Sequence, residues 1–381
     1  MSDVETSTAL PPAGGAGDPG GDVIVSIVMP MLNEERHIRR CLESVLAQRF
    51  DMSRVEILVV DGGSTDGSSD IVREFAAAHP RITLLHNPFR YQSHALNIAV
   101  PRTRGKYVLR MDCHSSYEPD YIARLVEAFE RTGADNIQGP NISHPGANTT
   151  AARAIWLVQG SRLGGGASFG RQEGGQGRFL GPGEVTSGWS FTRDILDRAG
   201  PFDERLIRNQ DNEYTCRVRA IGGRAWYEPA VRAAYYARAT VPAFVRLMFR
   251  NGFFHMLTWR VCPESFGLTH CVPAGFVLTL LVLGIAASFV PYAGWLLAAV
   301  VALYGAAVLM ETLRAAASHG ARYTLWLPWL FPLMHLSYGV GTLLGIARFV
   351  FTLIERTDDA RRYQTRTLEQ EEKAKVESRR Q

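Results

Sequence analysis

Several signatures of common protein classes are absent from this sequence. Lys and Arg number 41 and Asp and Glu number 37, and this net charge of +4 is too small to indicate a nucleic-acid partner. The five cysteines form no CxxC pair, so neither a zinc site nor a disulfide framework is indicated, and reduced thiols are expected. No GxxxxGKS motif occurs, which argues against a P-loop ATPase.

The first 22 residues lack the basic segment and apolar run of a secretory signal peptide. They are rich in Gly, Pro, Ala and Ser, a composition that cannot bury a core. Residues 1–22 are therefore predicted to be a disordered leader. We expect the domain that follows them to stay in the cytoplasm.

Short apolar runs alternate with helical patterns between residues 23 and 111. We predict strands at 23–29, 57–61, 81–86 and 106–111, with Pro30 ending the first, and helices at 33–48, 68–78 and 91–100. Strands that alternate with helices in this way are typical of a parallel, doubly wound α/β sheet. The fold class is therefore predicted to be α/β.

Two of these predicted strands end in an aspartate. Asp61 follows the apolar run ILVV and precedes Gly62 and Gly63, and Asp112 follows the next-but-one strand. Ligands of open α/β sheets bind at the carboxyl ends of the strands. A single aspartate of this kind more often caps the next helix, but two together favour a nucleotide site.

The ordered motifs VSIVMPMLNEE, VVDGGSTDGS, HALN, LRMDCHSSYEPD and NQDNEYTCRVRAIGGR resemble those of glycosyltransferase family 2. The resemblance covers residues 23–236 and implies a GT-A fold for a domain at 23–238. It implies that Pro30, Asn33, Glu35, Asp61, Asn97 and Asp112 bind the nucleotide sugar, with Asp61 accepting from the uracil N3–H. It also implies that Asp112 contacts the diphosphate and its Mg²⁺ or Mn²⁺, and that Asp211 is the general base.

The sequence departs from the family in its metal motif. The usual Asp-x-Asp reads Asp112-Cys113-His114, so the second ligand is His114 or is missing. Imidazole suits transition metals better than Mg²⁺, which leaves Mn²⁺ open. Trp189 is open as well, because it can stack on a sugar or pack in the core.

The C-terminal third is much more apolar. Residues 239–262 mix large apolar side chains with Arg246, Arg250 and Arg260, as in an amphipathic helix at a membrane surface. Residues 263–354 contain uncharged runs at 272–290 and 294–310 that are long enough to span a bilayer. The run at 325–354 fits either one kinked span or a hairpin, and we favour an even number of crossings. Residues 355–381 form a polar tail.

Together these features predict a multi-pass protein of the inner membrane with a cytoplasmic catalytic domain. The expected reaction is inverting transfer of a hexose, glucose from UDP-glucose by resemblance to exopolysaccharide enzymes, to a lipid-linked polyprenyl diphosphate saccharide. A processive synthase is disfavoured because no QxxRW motif occurs. The alternative is a non-catalytic, nucleotide-sugar-binding membrane subunit of a polysaccharide assembly complex.

Overall fold

A computed structural model describes residues 22–165, 175–181, 184, 189–206, 208–261 and 268–355. The predicted leader, apart from Asp22, and the predicted tail, apart from Glu355, lie outside the described residues.

Eleven strands and eleven α-helices are assigned within the described residues. The strands are β1 (Val25–Met31), β2 (Val55–Asp61), β3 (Ile82–His86), β4 (Tyr107–Arg110), β5 (Ser116–Tyr117), β6 (Asn136–Gln138), β7 (Asn141–His144), β8 (Arg178–Phe179), β9 (Ser190–Thr192), β10 (Ala225–Tyr227) and β11 (Ala233–Tyr236). The helices are α1 (Ile38–Leu46), α2 (Ser68–Ala78), α3 (Gln92–Ala99), α4 (Tyr121–Thr132), α5 (Thr150–Gly160), α6 (Arg193–Ala199), α7 (Gln210–Ala220), α8 (Val241–Val261), α9 (Val272–Ala286), α10 (Pro291–His319) and α11 (Leu327–Glu355).

The main sheet has eight strands in the order β3-β2-β1-β4-β9-β6-β10-β8. The pairs β3–β2, β2–β1, β1–β4 and β6–β10 are parallel, and β9 runs antiparallel to both of its neighbours. A second sheet has three strands in the order β5-β11-β7, which alternate along the chain with strands of the main sheet. The predicted α/β class is confirmed, and the four predicted strands are present with shifts of one or two residues at their ends.

The prediction that Pro30 ends the first strand is wrong. β1 continues through Pro30 to Met31, where it still pairs with Asp61 of β2. The Val28 carbonyl accepts from the Met111 amide, so Val28 directs its backbone groups towards β4. Pro30, two residues later, directs its backbone to the same side, but the pairing with β4 has already ended at Val28. The missing proline N–H therefore removes no ladder hydrogen bond, which is why the strand tolerates it.

Apolar side chains cover both faces of this sheet. On one face β1, β2 and β4 pack against α1 and α4, through residues such as Ile27, Leu42 and Leu125. On the other face Val28, Val60 and Val108 pack with α3, α6 and α7. A parallel sheet buried on both sides holds its strand ends rigidly, and these ends carry Asp61 and the loop with Asp112.

The C-terminal helices present a large apolar surface. Among the described residues, α10 and the Leu327–Arg348 part of α11 are long and apolar enough to cross a membrane, whereas α9 is shorter. Large side chains of α9, of α10 and of the turn between them stand exposed, including Phe289 in the turn and Tyr292 and Trp295 in α10, each more than three-quarters accessible. Residues 327–355 form one continuous helix that contains Pro332, so the hairpin considered for this run is wrong.

Helix α8 packs closely along α11 because glycines line their contact. A Cβ at Gly341 would lie 2.2 Å from the Phe249 carbonyl oxygen, and one at Gly252 would lie 2.1 Å from the Tyr338 carbonyl oxygen. Small residues allow two helix backbones to approach in this way. The predicted helix at 239–262 is thus present as α8, fixed to a candidate membrane span.

The α/β domain is joined to these helices by an apolar cluster. Ile155 and Val158 of α5 pack with Phe244 of α8 and with Leu330 and Phe331 of α11.

The expectation of reduced thiols is wrong at one position, since Cys216 is disulfide-bonded whereas Cys41, Cys113 and Cys271 are free. The sequence shows no signal for this bond, because cysteines distant in the chain carry no spacing motif.

Candidate active site

The ends of β1 and β2 are tied together by a lattice of short hydrogen bonds. The Asn33 side-chain oxygen accepts from the Thr65 amide at 2.8 Å, and the Asn33 amide donates to the Ser64 hydroxyl at 2.9 Å. Asn33 has a positive φ of 55°, a conformation that Asn tolerates better than most residues. The Glu35 amide donates to Asp66, while the Glu35 side chain stays exposed. The two loops therefore form one preformed edge beside Pro30.

Asp61 is a structural anchor of that edge. One carboxylate oxygen accepts from the Ser64 amide at 3.0 Å and hydroxyl at 2.6 Å, and the other accepts from the Ser69 hydroxyl at 2.7 Å. The side chain is almost buried. The helix-capping role considered for it is wrong, because Gly67 is the cap residue of α2 and, among the described residues, Asp61 accepts no backbone amide of that helix. A carboxylate can accept about four hydrogen bonds, so a further bond from a base remains open to it.

Asp112 lies at the centre of a polar relay that reaches α7. Its Oδ1 lies 3.1 Å from the Arg110 Nε and 3.5 Å from the Gln92 amide nitrogen. The Gln92 side-chain oxygen in turn accepts a hydrogen bond from the buried Gln210 amide, at the first residue of α7. The carboxylate at the sheet edge is thus connected to the helix that carries Asp211.

Asp211 occupies the first turn of α7, where Asn209 is the cap residue. Within the described residues its side chain accepts only the local Asn212 amide, at 2.9 Å, and it is partly exposed. Burial opposes the charge of Arg110, but Asp112 and then Asp211 stabilise it, so that the pKa of this guanidinium is raised. Both carboxylates therefore lie close enough to Arg110 to stabilise its charge.

Unpaired buried polar atoms collect at the same place. Among the described side chains, the Arg110 Nη1, the Trp189 Nε1 and the Gln210 Oε1 are buried without a hydrogen-bond partner. Each such atom is costly, and native proteins retain few of them without a reason. Arg110 and Gln210 are both connected to Asp112, so their unpaired atoms indicate a place where a ligand can supply the missing partners.

The sequence left two roles for Trp189, stacking on a sugar or packing in the core, and the structure shows that its ring packs in the core. The side chain is almost fully buried and packs against Phe191, Phe202 and Tyr214 with ring centroids 5.0, 5.3 and 6.3 Å away.

Asn97 is committed to a different contact. Its side chain donates to the Phe202 carbonyl and to Glu204, and accepts from the Phe202 amide at 2.7 Å. The Asn97 side chain thus joins α3 to the loop before α7, which is a structural role. The assignment of Asn97 to the nucleotide site stays a prediction.

His114 faces a carboxylate rather than a prepared metal pocket. Its Nδ1 lies 3.4 Å from the Glu34 Oε1, and this bond raises the pKa of His114 despite its burial. Within the described part of the chain, no group of three or more His, Cys, Asp or Glu side chains could hold a metal. The residues fit a cation of the Mg²⁺ type, which uses one or two protein carboxylates and completes its shell with substrate phosphates and water.

The comparisons with known proteins identify the domain. Residues 26–199 match the family model Glycosyl transferase family 2. This segment of the chain is a glycosyltransferase family 2 domain. It is 34% identical over 225 residues to the Succinoglycan biosynthesis protein ExoA of Rhizobium meliloti, a match that covers 57% of this chain and 65% of that relative.

A second relative is similar over nearly its whole length. It is the Dolichyl N-acetyl-alpha-D-glucosaminyl phosphate 3-beta-D-2,3-diacetamido-2,3-dideoxy-beta-D-glucuronosyltransferase of Methanococcus voltae, 26% identical over 85% of this chain and 97% of that protein. The solved mannosyltransferase PcManGT of Pyrobaculum calidifontis, in complex with GDP-Man and Mn²⁺, superimposes with a TM-score of 0.56 at 21% identity, over 87% of this chain and 90% of that one. The chain therefore has a GT-A-like α/β fold.

Sequence reasoning missed Arg110 and Gln92 as site residues. Arg110 stands two positions before Asp112 in RMDCH, and the two-residue period of a strand places both on one side of the chain. The sequence therefore contained a signal for Arg110. It contained no signal for Gln92, because only the packing of α3 against the sheet brings Gln92 to Gln210.

Proposed function

We propose that this protein is a membrane-anchored, inverting glycosyltransferase that moves a hexose from a UDP-sugar to a lipid-linked saccharide. The observation that carries the proposal is the relay from Asp112 through Gln92 and Gln210 to the helix of Asp211, with Arg110 paired to Asp112. Such a site holds a diphosphate leaving group on one side and a base on the other.

The residues divide the reaction between them. The Asp211 carboxylate accepts the proton of the acceptor hydroxyl as the oxygen attacks the anomeric carbon, a step in which a positioned base contributes about 10²- to 10⁴-fold. The bond from that carbon to the diphosphate oxygen breaks, and Arg110 stabilises the charge left on the diphosphate. A single displacement from the opposite face inverts the anomeric configuration.

A divalent cation, Mg²⁺ or Mn²⁺, would neutralise the same developing charge. Asp112 is the carboxylate placed to hold it. His114 could be a second ligand of the cation only in its neutral form, and the nearby Glu34 favours its protonated form.

The membrane placement rests on α9, α10 and α11. Their exposed apolar side chains match a lipid surface, and two of these helices have the length and composition of a span. Arg314 and Arg322 flank the connection between α10 and α11, which places it in the cytoplasm by the positive-inside rule. The protein is thus assigned to the inner membrane as a multi-pass protein with a cytoplasmic catalytic domain, and α8 lies at the membrane surface.

The donor and acceptor are inferred from two relatives. The similarity to ExoA, a succinoglycan biosynthesis protein by name, supports a place in exopolysaccharide or cell-envelope glycan synthesis. Glucose from UDP-glucose is the donor that the resemblance of the sequence motifs implies. The Methanococcus relative is named for a dolichyl-phosphate-linked acceptor, which supports a polyprenyl-linked acceptor here.

The test is donor hydrolysis by detergent-purified, full-length protein with UDP-, GDP- and TDP-sugars, with and without Mg²⁺ or Mn²⁺. We expect release of UDP from UDP-glucose that depends on the metal. If no nucleotide sugar is hydrolysed and none binds in calorimetry, the enzyme assignment is wrong. Binding without hydrolysis or transfer in the presence of membrane lipid extract would favour the non-catalytic subunit.

A further inference from the structure

Three arginines lie around the N-terminus of α7 without a carboxylate partner. Arg208 is two residues before α7, Arg238 is two residues after β11, and Arg250 lies in α8. In the part of the chain that the structure describes, none of the three side chains makes a hydrogen bond or an ion pair. We name them the arginine cluster.

The three guanidinium groups influence one another. Partial burial, followed by the charges of Arg250 and Arg238, lowers the pKa of Arg208, and the nearby Asp211 compensates only in part. Helix α7 also contacts α8, the helix that carries Arg250. The arginine cluster therefore lies beside the candidate base at the start of α7.

Most other arginines of the α/β domain are paired, which makes this cluster unusual. Arg39 bonds Glu74, Arg131 bonds Glu228, and Arg217 holds Glu213 through two nitrogens. Arg238 and Arg250 are exposed and Arg208 is partly buried, so an anion can reach the cluster, where it would relieve the repulsion between the three cations. The planar guanidinium, with several donors, suits phosphate oxygens.

The position of the arginine cluster selects the acceptor over the donor. Arg110 and Asp112 already provide the contacts for the donor diphosphate at the strand ends. Arg208 instead precedes the candidate base by three residues, and Arg250 lies on the helix that packs through Gly341 and Gly252 against a candidate membrane span. A headgroup that enters from the lipid surface meets this helix on its way to Asp211.

We propose that Arg208, Arg238 and Arg250 bind the diphosphate of the polyprenyl-linked acceptor and so place its sugar hydroxyl at Asp211. This inference rests on the proposed function, because it names the acceptor site of that reaction.

The test is binding of farnesyl diphosphate to full-length protein in detergent, measured by calorimetry, with farnesol and UDP as comparison ligands. We expect Arg208→Ala and Arg250→Ala each to weaken farnesyl diphosphate binding about tenfold or more, since a hydrogen bond to a charged group contributes about 1.5–3 kcal/mol. Binding of UDP should change less than twofold. Arg208→Lys, which keeps the charge but loses the planar donors, should fall between wild type and Arg208→Ala.

Arg246→Ala is the matched control, because Arg246 is an exposed arginine one turn before Arg250 on the same helix. The proposal is overturned if Arg246→Ala weakens binding as much as Arg250→Ala, which would indicate diffuse attraction. It is also overturned if correctly folded Arg208→Ala binds farnesyl diphosphate like wild type, or loses UDP binding in parallel. Wild type that binds farnesyl diphosphate through these arginines but turns over no donor contradicts the proposed function alone.

Discussion

The proposed donor side and the proposed acceptor side of the site are built in opposite ways. On the donor side, protein hydrogen bonds hold Asp61 and Asn33 in place. On the acceptor side, within the described residues, Asp211 accepts only a local amide, and Arg208 and Arg250 form no hydrogen bond or ion pair, although the charge of Asp211 partly stabilises that of Arg208. The proposed donor side is therefore preformed, whereas on the proposed acceptor side the substrate would supply the missing contacts.

This difference has a physical origin. The donor loops follow strands buried on both faces of a parallel sheet, so their geometry is fixed by the core. The acceptor side is formed where α7 meets α8, and α8 belongs as much to the apolar helices as to the sheet. A site split in this way can bind a soluble nucleotide sugar at one edge and a lipid headgroup at the other.

The largest expected effect comes from removing the base. Asp211→Asn keeps the size of the side chain but cannot accept the proton, so transfer should fall about 10²- to 10⁴-fold. Calorimetric binding of the UDP-sugar should be unchanged, because the donor side is built without Asp211. Transfer at more than a tenth of the wild-type rate would show that another group is the base.

Asp112→Ala removes the donor-side carboxylate and should lower metal-dependent UDP release about 10²-fold. Here, in contrast to Asp211→Asn, binding of the UDP-sugar in the presence of the metal should also weaken. If Asp112→Ala and Asp211→Asn weakened binding of the UDP-sugar to the same extent, the distinction between a donor side and an acceptor side would be wrong.

Gly341→Ala tests the packing that fixes α8. The added methyl group would lie 2.2 Å from the Phe249 carbonyl oxygen, so α8 and α11 must separate. Overpacking of this kind costs about 1–3 kcal/mol, and the thermal unfolding midpoint should fall. Gly305→Ala in α10 is the matched control, since a Cβ there meets no atom within 4 Å and should leave the midpoint unchanged.

The smallest effect concerns the metal. His114→Asp restores an Asp-x-Asp motif and should tighten the apparent Mn²⁺ affinity about tenfold, measured as metal-dependent UDP release. Glu34 raises the pKa of His114, so the wild-type imidazole loses its proton only above the usual pH for histidine. Metal activation of wild type should therefore increase as pH rises through that pKa, and this step should be absent in His114→Asp.

Much of the donor side could be predicted from sequence. The four parallel strands, the helix at 68–78 and the strand-end positions of Asp61 and Asp112 follow from local apolar patterns, and the structure confirms them. Pro30 shows where a local rule fails, because proline ends a strand only when its missing N–H was needed.

The acceptor side could not be predicted in the same way. The relay through Gln92 and Gln210, the arginine cluster and the contact of α5 with α8 join segments that lie far apart in the chain, 118 residues in the case of Gln92 and Gln210. No local pattern encodes such contacts, because they depend on how the apolar helices dock on the sheet. For the same reason, the bond of Asn97 to the loop at Phe202 was not foreseen.

The most direct test of the central claim is transfer of labelled glucose from UDP-glucose to membrane lipid extract by the full-length protein. We expect the label to move into an organic-soluble product that mild acid releases, as a diphosphate-linked sugar does, and to be absent with Asp211→Asn. Label that remains in UDP-glucose, or appears only as free glucose in the presence of the lipid, would contradict the assignment of this protein as a lipid-directed glycosyltransferase.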